Sequence, residues 1–167
     1  LRARACDPIS AFGGVISINA RVEKDLAEKI AEQFAEVIVA PDFSEEAVTI
    51  FSAKKNLRML RVDRPDRFLE SQKEIRQVHD GILLQDLDIT YNDQDQWKVV
   101  SKRQPDSREW QAMQFAWRLV KHVKSNAIVF TGASESLAIG AGQMSRVDAA
   151  EIAMSKAKKL EIDLHGS

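Results

Sequence analysis

A glycine-rich turn near the end of the chain is where residue types and spacing first indicate chemistry. The stretch Gly140-Ala141-Gly142-Gln143-Met144-Ser145-Arg146 joins a strand-like run to a helical one. Amides at a helix N-terminus attract anions, glycines let a ligand approach the backbone, and an arginine adds a fork of donors. The turn therefore predicts a ligand contact through Arg146, and the alternative is a tight turn with a solvated arginine. It is not a dinucleotide fingerprint, because Ser145 replaces the third glycine.

Three other features could also bind a ligand. The segment 7–14 (DPISAFGG) could wrap a ligand with backbone amides and one aromatic ring, or it is an ordinary turn that buries Phe12. Asn126 follows a predicted helix, and the helix macrodipole is enough to explain the cations in the last turn of that helix. Asn126 itself either caps the helix or points its carboxamide at a ligand. Glu36 opens a buried strand, where an unpaired carboxylate is costly, so it lies at an exposed strand tip or binds a ligand hydroxyl.

The remaining conspicuous side chains are expected to be structural. His79 and His165 lack metal-ligand spacing and are predicted to lie on the surface, and no metal site is expected. Trp110 and Trp117 stand at helical spacing, which favours the core over a stacking platform. The basic run 98–103 is short and has no aromatic ladder, which argues against nucleic-acid binding.

Composition limits the class of protein. The 167 residues carry 24 basic and 25 acidic side chains, a net charge of −1, with 44% hydrophobic and 29% charged residues. These values are typical of a globular protein, and a net charge so close to zero creates no overall electrostatic field that would attract nucleic acid or anionic membranes. The single cysteine, Cys6, excludes an internal disulfide and a multi-cysteine zinc site and favours a reducing compartment, the cytoplasm. The first residue is not Met and reads as part of a helix, so we expect a fragment of a longer chain.

The elements that would position these residues alternate between strand and helix in the first part of the chain. Alternating β-branched residues predict a strand at 14–19, and an apolar repeat of four predicts the helix after it. Ser44 before two glutamates predicts the N-cap of the next helix. The order strand, helix, strand, helix, strand favours an α/β layer architecture. The segments are strands at 14–19, 36–40 and 56–62 and helices at 23–34 and 44–55.

The second part is predicted to begin with irregular segments and to end in helices and short strands. Asp106 with Glu109 resembles a capping box, which predicts a helix to about Lys124. Ser145 is predicted to cap the last helix, which continues to about Lys158. The other segments are a connecting loop at 63–72, one longer strand within 75–88, a polar turn at 91–96, and strands at 98–102, 127–131 and 137–140.

Five motifs together resemble one known family. They are DPISAFGG at 7–14, EVIVAPDF at 36–43, KRQP at 102–105, VKSNA at 123–127 and IGAGQMSRV at 139–147. In this order they resemble the transformylase domain of the bifunctional AICAR transformylase/IMP cyclohydrolase family, through nearly the whole chain. The resemblance weakens over 63–73 and 91–96, and at Leu87, where the family commonly has a basic residue.

The resemblance implies a fold and an activity. The fold is the cytidine-deaminase-like α/β type, here without zinc, because neither the His-x-Glu nor the Pro-Cys-x-x-Cys ligands occur. The activity is formyl transfer from 10-formyltetrahydrofolate to the amino group of aminoimidazole carboxamide ribonucleotide. The positions that match ribonucleotide contacts are Gly13, Glu36, Asn126 and Arg146, and Val147 matches a folate contact. The family also implies a homodimer and no metal in the chemistry.

No catalytic residue is expected within this chain. The resemblance implies that the base and charge stabiliser are a histidine and a lysine in a Lys-His-x-Asn-Pro-Cys-Gly motif, which the 167 residues lack. Lys121-His122 imitates the dipeptide without that context and is rejected. Two hypotheses remain: the chain is part of a formyltransferase, or it is a non-catalytic ligand-binding or interaction module on the same scaffold.

Overall fold

Two units make up the chain, and each is described by itself. The structure is a computed structural model that describes residues 2–63, 73–88 and 96–167. The unit Ser10–Tyr91 is called the parallel-sheet unit, and the unit formed by Leu1–Ile9 with Asn92–Ser167 is called the two-helix unit. The loop predicted at 63–72 and the turn predicted at 91–96 lie outside the described residues except for Asp63 and Gln96. That the whole chain is one partial transformylase domain stays a prediction.

The observed elements confirm a mixed α/β chain. In order they are α1 (Arg2–Ala5), β1 (Gly14–Ser17), α2 (Lys24–Ala31), β2 (Ala35–Ala40), α3 (Glu45–Ser52), β3 (Arg58–Arg61), β4 (Lys73–Val78), β5 (Gly81–Asp86), α4 (Ser107–Val120), β6 (Ile128–Thr131), β7 (Ser136–Gly140) and α5 (Arg146–Lys159).

The parallel-sheet unit confirms the predicted alternation of strand and helix. Its sheet has the order β1-β2-β3, and both pairs of neighbouring strands are parallel. Parallel neighbours need a crossover, which α2 and α3 supply. Ser44 caps α3 as predicted, since its Oγ accepts from the Ala47 amide at 3.1 Å. Ile38 on the central strand and Phe51 on α3 are fully buried in the core of this unit.

The prediction of one longer strand within 75–88 is wrong, because β4 and β5 form an antiparallel hairpin. Val78 pairs with Gly81, which leaves His79 and Asp80 as the turn. Two-residue hairpin turns favour positive φ, and His79 adopts φ 47. The turn was missed because the apolar run after Gly81 looks like the continuation of one strand. His79 and Asp80 are exposed, as predicted for the histidine.

The two-helix unit is organised by small residues on α5. Ala149, Ala153 and Ala157 recur every four positions and are buried, so α5 lies close to the β6–β7 hairpin. The helix approaches the strand tightly at Gly140, where an added Cβ would lie 1.8 Å from the Ala149 carbonyl oxygen. Only glycine can therefore occupy position 140 without moving α5.

Three predictions for the two-helix unit need correction. α4 has the predicted capping box, but it ends at Val120 rather than near Lys124, because the His122 and Val123 amides bond three residues back and tighten the last turn. The segment 98–102 is described and contains no strand. Trp117 is 60% exposed rather than core, and Trp110 is half-buried.

The tryptophans cluster with one another instead of entering the core. The Trp97 ring lies 6.0 Å from the ring of Trp110 and 6.0 Å from that of Trp117. Trp97 precedes α4, so helical spacing alone could not show it as the partner of the other two.

Neither a membrane-crossing helix nor a metal-binding cluster occurs among the described residues. None of the helices there is long and apolar enough to pass through a membrane. Within the same part of the chain, no cluster of three or more His, Cys, Asp or Glu could hold a metal ion.

Replacing Gly140 with alanine should destabilise the protein by about 3 kcal/mol, because the new methyl group would overlap the Ala149 carbonyl. The matched control is Gly132→Ala, whose Cβ would meet only the flexible Glu135 side chain, 3.1 Å away. We expect the control to cost under about 1 kcal/mol. Denaturant unfolding of both variants is the measurement, and equal costs would contradict the close approach of α5.

The cap of α4 should make stability depend on pH. The Arg103 guanidinium, followed by the Asp106 amide, lowers the pKa of Glu109 from 4.5 to about 2. A lowered pKa adds stability above the unfolded-state value, and this stability is lost as the pH falls toward 2. Glu109→Gln should therefore lower the melting temperature at pH 7 and leave it unchanged at pH 2. Glu151→Gln, at an exposed site on α5, is the control. If Glu109→Gln lowers the melting temperature equally at pH 7 and pH 2, the charge on Glu109 is not the source of the stability.

Candidate functional site

In the parallel-sheet unit, Gly13 immediately precedes β1 and Glu36 lies on the neighbouring strand β2. The Gly13 amide donates to the Phe34 carbonyl at 3.0 Å, and Gly13 has φ 71, a conformation that favours glycine. Gly14 pairs with Ala35 but the next residue pairs with Val37, so the register passes over Glu36. Such an irregularity redirects a side chain. The structure thus brings these two predicted contacts together at the amino ends of β1 and β2.

The surroundings of this pair favour an exposed contact surface over a buried turn. Glu36 is exposed, so its carboxylate stays hydrated and carries no burial cost. Phe12 is 67% exposed, which contradicts the reading that the 7–14 turn buries it, although its ring lies 5.4 Å from that of Phe34. A cavity of about 280 Å³ opens beside Phe34, and Lys54 and Lys55 also line it.

Topology alone would have indicated the opposite edge of this sheet. Ligands of open parallel sheets usually bind outside the carboxyl ends of the strands. Gly13 and Glu36 lie at the amino ends. This pair was found from motif resemblance, and no rule of sheet topology would have found it.

In the two-helix unit, Asn126 is joined to the glycine-rich turn. Its Nδ2 donates to the Gln143 and Met144 carbonyls, each at 3.1 Å. The backbones are joined as well: the Gln143 amide donates to the Asn126 carbonyl at 3.2 Å, and the Gly142 amide donates to the Lys124 carbonyl at 2.7 Å. The reading of Asn126 as a cap of α4 is wrong, because α4 ends at Val120.

Arg146 and Val147 begin α5 immediately after this turn. Ser145 caps α5 as predicted, since its Oγ accepts from the Asp148 amide at 3.1 Å. Arg146 is exposed, and no carboxylate of the described residues pairs with it. Met144 and Val147 are also exposed, at 93% and 66%. An unpaired guanidinium beside two exposed apolar side chains suits a ligand that has both an anionic or polar part and an apolar part.

The hydrogen-bond partners of Asn126 were not predictable from residue types. Gln143 and Met144 contribute backbone oxygens, which no side-chain pattern shows. The sequence indicated only a tight turn, through Gly140 and Gly142, and Gly142 adopts the φ of 65 that such a turn requires. Lys121 and His122, which the sequence analysis rejected as the catalytic pair, are both exposed just after α4.

A second cavity in the two-helix unit contains none of the predicted site residues. It measures about 740 Å³ and lies against α4 and β6. Its lining includes Trp97, Trp110, Met113, Arg103 and Val129. The bidentate pair of Arg103 with Glu109, at 2.8 and 2.7 Å, lies at this cavity.

Comparison with known proteins identifies relatives over nearly the whole chain. A family model described as AICARFT/IMPCHase bienzyme matches residues 1–156. Bifunctional purine biosynthesis protein PurH of Leptospira biflexa serovar Patoc is 46% identical over 165 residues, which is 99% of this chain and 32% of that protein. The PurH protein of Magnetococcus marinus is 47% identical over 93% of this chain and 30% of its own length. The PurH protein of Prochlorococcus marinus is 44% identical over 95% of this chain and 31% of its own length. The chain thus spans about a third of the length of these relatives.

Proposed function

The chain belongs to the AICARFT/IMPCHase bienzyme family, and we propose that it forms part of a formyltransferase of purine biosynthesis. The donor is 10-formyltetrahydrofolate and the acceptor is the amino group of aminoimidazole carboxamide ribonucleotide. Gly13, Glu36, Asn126 and Arg146 contact the ribonucleotide, and Val147 contacts the folate. The chain supplies binding residues rather than the catalytic base.

The observation that carries this proposal is the unpaired Arg146 on a turn that Asn126 holds in place. A cation at the first residue of a helix is disfavoured by the helix dipole, so the fold itself gives no reason for it. Five other arginines of the described residues pair with a carboxylate: Arg2, Arg21, Arg61, Arg76 and Arg103. A nucleotide that offers polar or anionic groups would supply the missing partner.

The proposed chemistry requires orientation before it requires a strong base. The amine nitrogen attacks the formyl carbon, the bond from that carbon to N10 of the folate breaks, and the proton lost by the amine is balanced by one gained at N10. The amine is a weak nucleophile because its lone pair is conjugated with the ring and carboxamide. Fixing the amine near the formyl carbon therefore contributes much of the rate. Asn126 is the residue that we assign to orient it.

The wider features of the proposal follow from family membership. We propose the cytidine-deaminase-like architecture, a cytoplasmic homodimer in the complete enzyme, and chemistry without a metal. The base and charge stabiliser come from a Lys-His-x-Asn-Pro-Cys-Gly motif outside these 167 residues. A non-catalytic module on the same scaffold is the alternative. The natural gene decides between them, since a sequence without that motif would favour the module.

Arg146→Ala in the natural protein should weaken ribonucleotide binding by about ten-fold or more, because a charge-assisted hydrogen bond is lost. The matched control is Arg108→Ala, which removes another exposed arginine from the first turn of a helix, α4. Calorimetric titration gives the affinities, and thermal melting checks that both variants fold. Equal affinities for the two variants would show that Arg146 is a solvated surface residue without a ligand contact.

The 167-residue chain alone should show no measurable formyl transfer, because orientation and proton transfer each contribute several orders of magnitude and the assigned base is absent. The measurement is tetrahydrofolate formation from the two substrates, against a boiled control. A rate comparable with that of the complete enzyme would contradict the assignment of the catalytic pair to another segment.

A further inference from the structure

The β4–β5 hairpin carries large apolar side chains that are open to solvent. It forms a two-stranded sheet of its own, and every residue of its strands except Glu74 is exposed. Ile75 pairs with Leu84, and Ile82 pairs with Gln77, so Ile75, Ile82 and Leu84 point to one face. They are 66%, 70% and 62% exposed in that order. An isolated two-stranded hairpin is at best marginally stable in water, so this hairpin needs a partner surface.

The outer edge of β4 is available for pairing. Within the part of the chain that the structure describes, no strand pairs with this edge. Val78 and Gly81 flank a two-residue turn and form a hydrogen-bonded pair, and such pairs alternate along a hairpin. The N–H and C=O groups of Lys73, Ile75 and Gln77 therefore point away from β5. The edge contains neither a bulge nor a proline, which are two of the features that protect natural edge strands.

The sequence of β4 is complementary to a second copy of itself. In an antiparallel pair about a two-fold axis, one residue lies opposite its own copy and determines every other pair. With Ile75 on the axis, Glu74 of each copy lies opposite Arg76 of the other, and opposite charges stabilise a cross-strand pair. An axis at Lys73, Glu74 or Arg76 would place like charges opposite each other. An axis at Gln77 would leave Glu74 and Arg76 without an opposite charge across the pair, so only the axis at Ile75 suits the charges.

The same register satisfies the free backbone groups of the edge. Ile75 lies opposite its own copy and Lys73 opposite Gln77 of the other copy, so the residues with outward N–H and C=O groups pair with one another. Opposite residues of an antiparallel pair point to the same face, so the apolar faces of the two hairpins join. On the other face, the charges of Glu74 and Arg76 alternate across the axis. Backbone pairing, apolar contact and charge thus favour one and the same register.

We infer that β4 pairs with β4 of a second copy of this chain, antiparallel and with Ile75 on the two-fold axis. The two hairpins then form one four-stranded sheet in the order β5-β4-β4-β5. This inference rests on the homodimer that is part of the proposed function, and it adds the surface through which the two copies meet. The hairpin contact is small beside a standard interface, so it fixes the register of the dimer and contributes part of its affinity.

Two charge-reversal variants of the natural protein test this register. Homodimers of Glu74→Arg, or of Arg76→Glu, would set like charges opposite each other, so their dissociation constants should rise by about ten-fold or more. In a 1:1 mixture, a heterodimer of the two variants pairs each charge with an opposite one, and its dissociation constant should return to within about three-fold of the unsubstituted value. Analytical ultracentrifugation measures these constants. Glu151→Arg makes the same change of charge at an exposed site on α5, and this control should dimerise normally.

The mixture separates pairing between copies from effects within one copy. Arg76 Nε also donates to Glu74 Oε1 of its own strand, at 2.7 Å, and each variant loses this contact. Mixing the variants cannot restore a contact within one copy, whereas it does restore the contacts between copies. A mixture that dimerises no better than either variant alone would therefore overturn the inference.

A disulfide provides a test that does not depend on charge. In Ile75→Cys the two thiols would meet at the axis, where the Cα atoms of a hydrogen-bonded pair lie about 5.5 Å apart, within the range of a disulfide. Mild oxidation should therefore convert this variant into a covalent dimer on a non-reducing gel. The control is Ile82→Cys, at an equally exposed site on β5, which lies one strand further from the axis and beyond disulfide reach. Equal yields of covalent dimer from the two variants would contradict the pairing.

The results also distinguish this inference from the proposed function. If the natural protein dimerises but Ile75→Cys forms no disulfide and the charge variants dimerise normally, another part of the protein covers the hairpin. The inference then fails while the homodimer stands. If the natural protein is a monomer that transfers the formyl group, the inference and the homodimer fail while the activity stands. If the mixed variants recover dimerisation and the natural protein transfers no formyl group, the inference stands and the proposed activity fails.

Discussion

The approach of α5 to β7 at Gly140 is the constraint on which the two-helix unit depends. The Ala149 carbonyl oxygen occupies the place where a side chain at position 140 would begin. This contact, with the buried alanines along α5, fixes the helix against the hairpin. Arg146 and Val147 open that same helix, so the packing that stabilises the unit also determines where the predicted ligand contacts lie.

The connection from Asn126 to the turn adds a second, polar constraint at the same end of the hairpin. Ile128 pairs with Gly140, whereas Asn126 pairs with Gln143, so the turn side contains one extra residue between the two pairings. The extra residue ends the regular ladder and lets the chain enter α5. Packing therefore places the helix, and hydrogen bonds shape the turn before it. Together they leave the Arg146 guanidinium unpaired and the Asn126 oxygen open.

The sequence predicted those parts of the fold that depend on local chemistry. The Ser44 and Ser145 caps and the Asp106 capping box were correct because a cap depends on residues three positions apart. The hairpin turn at His79 was missed because the apolar residues after Gly81 look like a continuation of the strand before it. The exposure of Trp117 was missed because its ring partner, Trp97, lies outside the helix that the pattern described. For the site, motif resemblance selected Asn126 and Arg146, but the backbone oxygens that hold Asn126 could only be seen in three dimensions.

The central claim is that the turn before α5 binds the ribonucleotide, and a crystal structure of the natural protein with aminoimidazole carboxamide ribonucleotide tests it most directly. The account predicts the nucleotide within hydrogen-bond distance of the Arg146 guanidinium and of the Asn126 side chain. A nucleotide bound elsewhere, for example in the tryptophan-lined cavity beside α4, with Arg146 and Asn126 untouched, would contradict it.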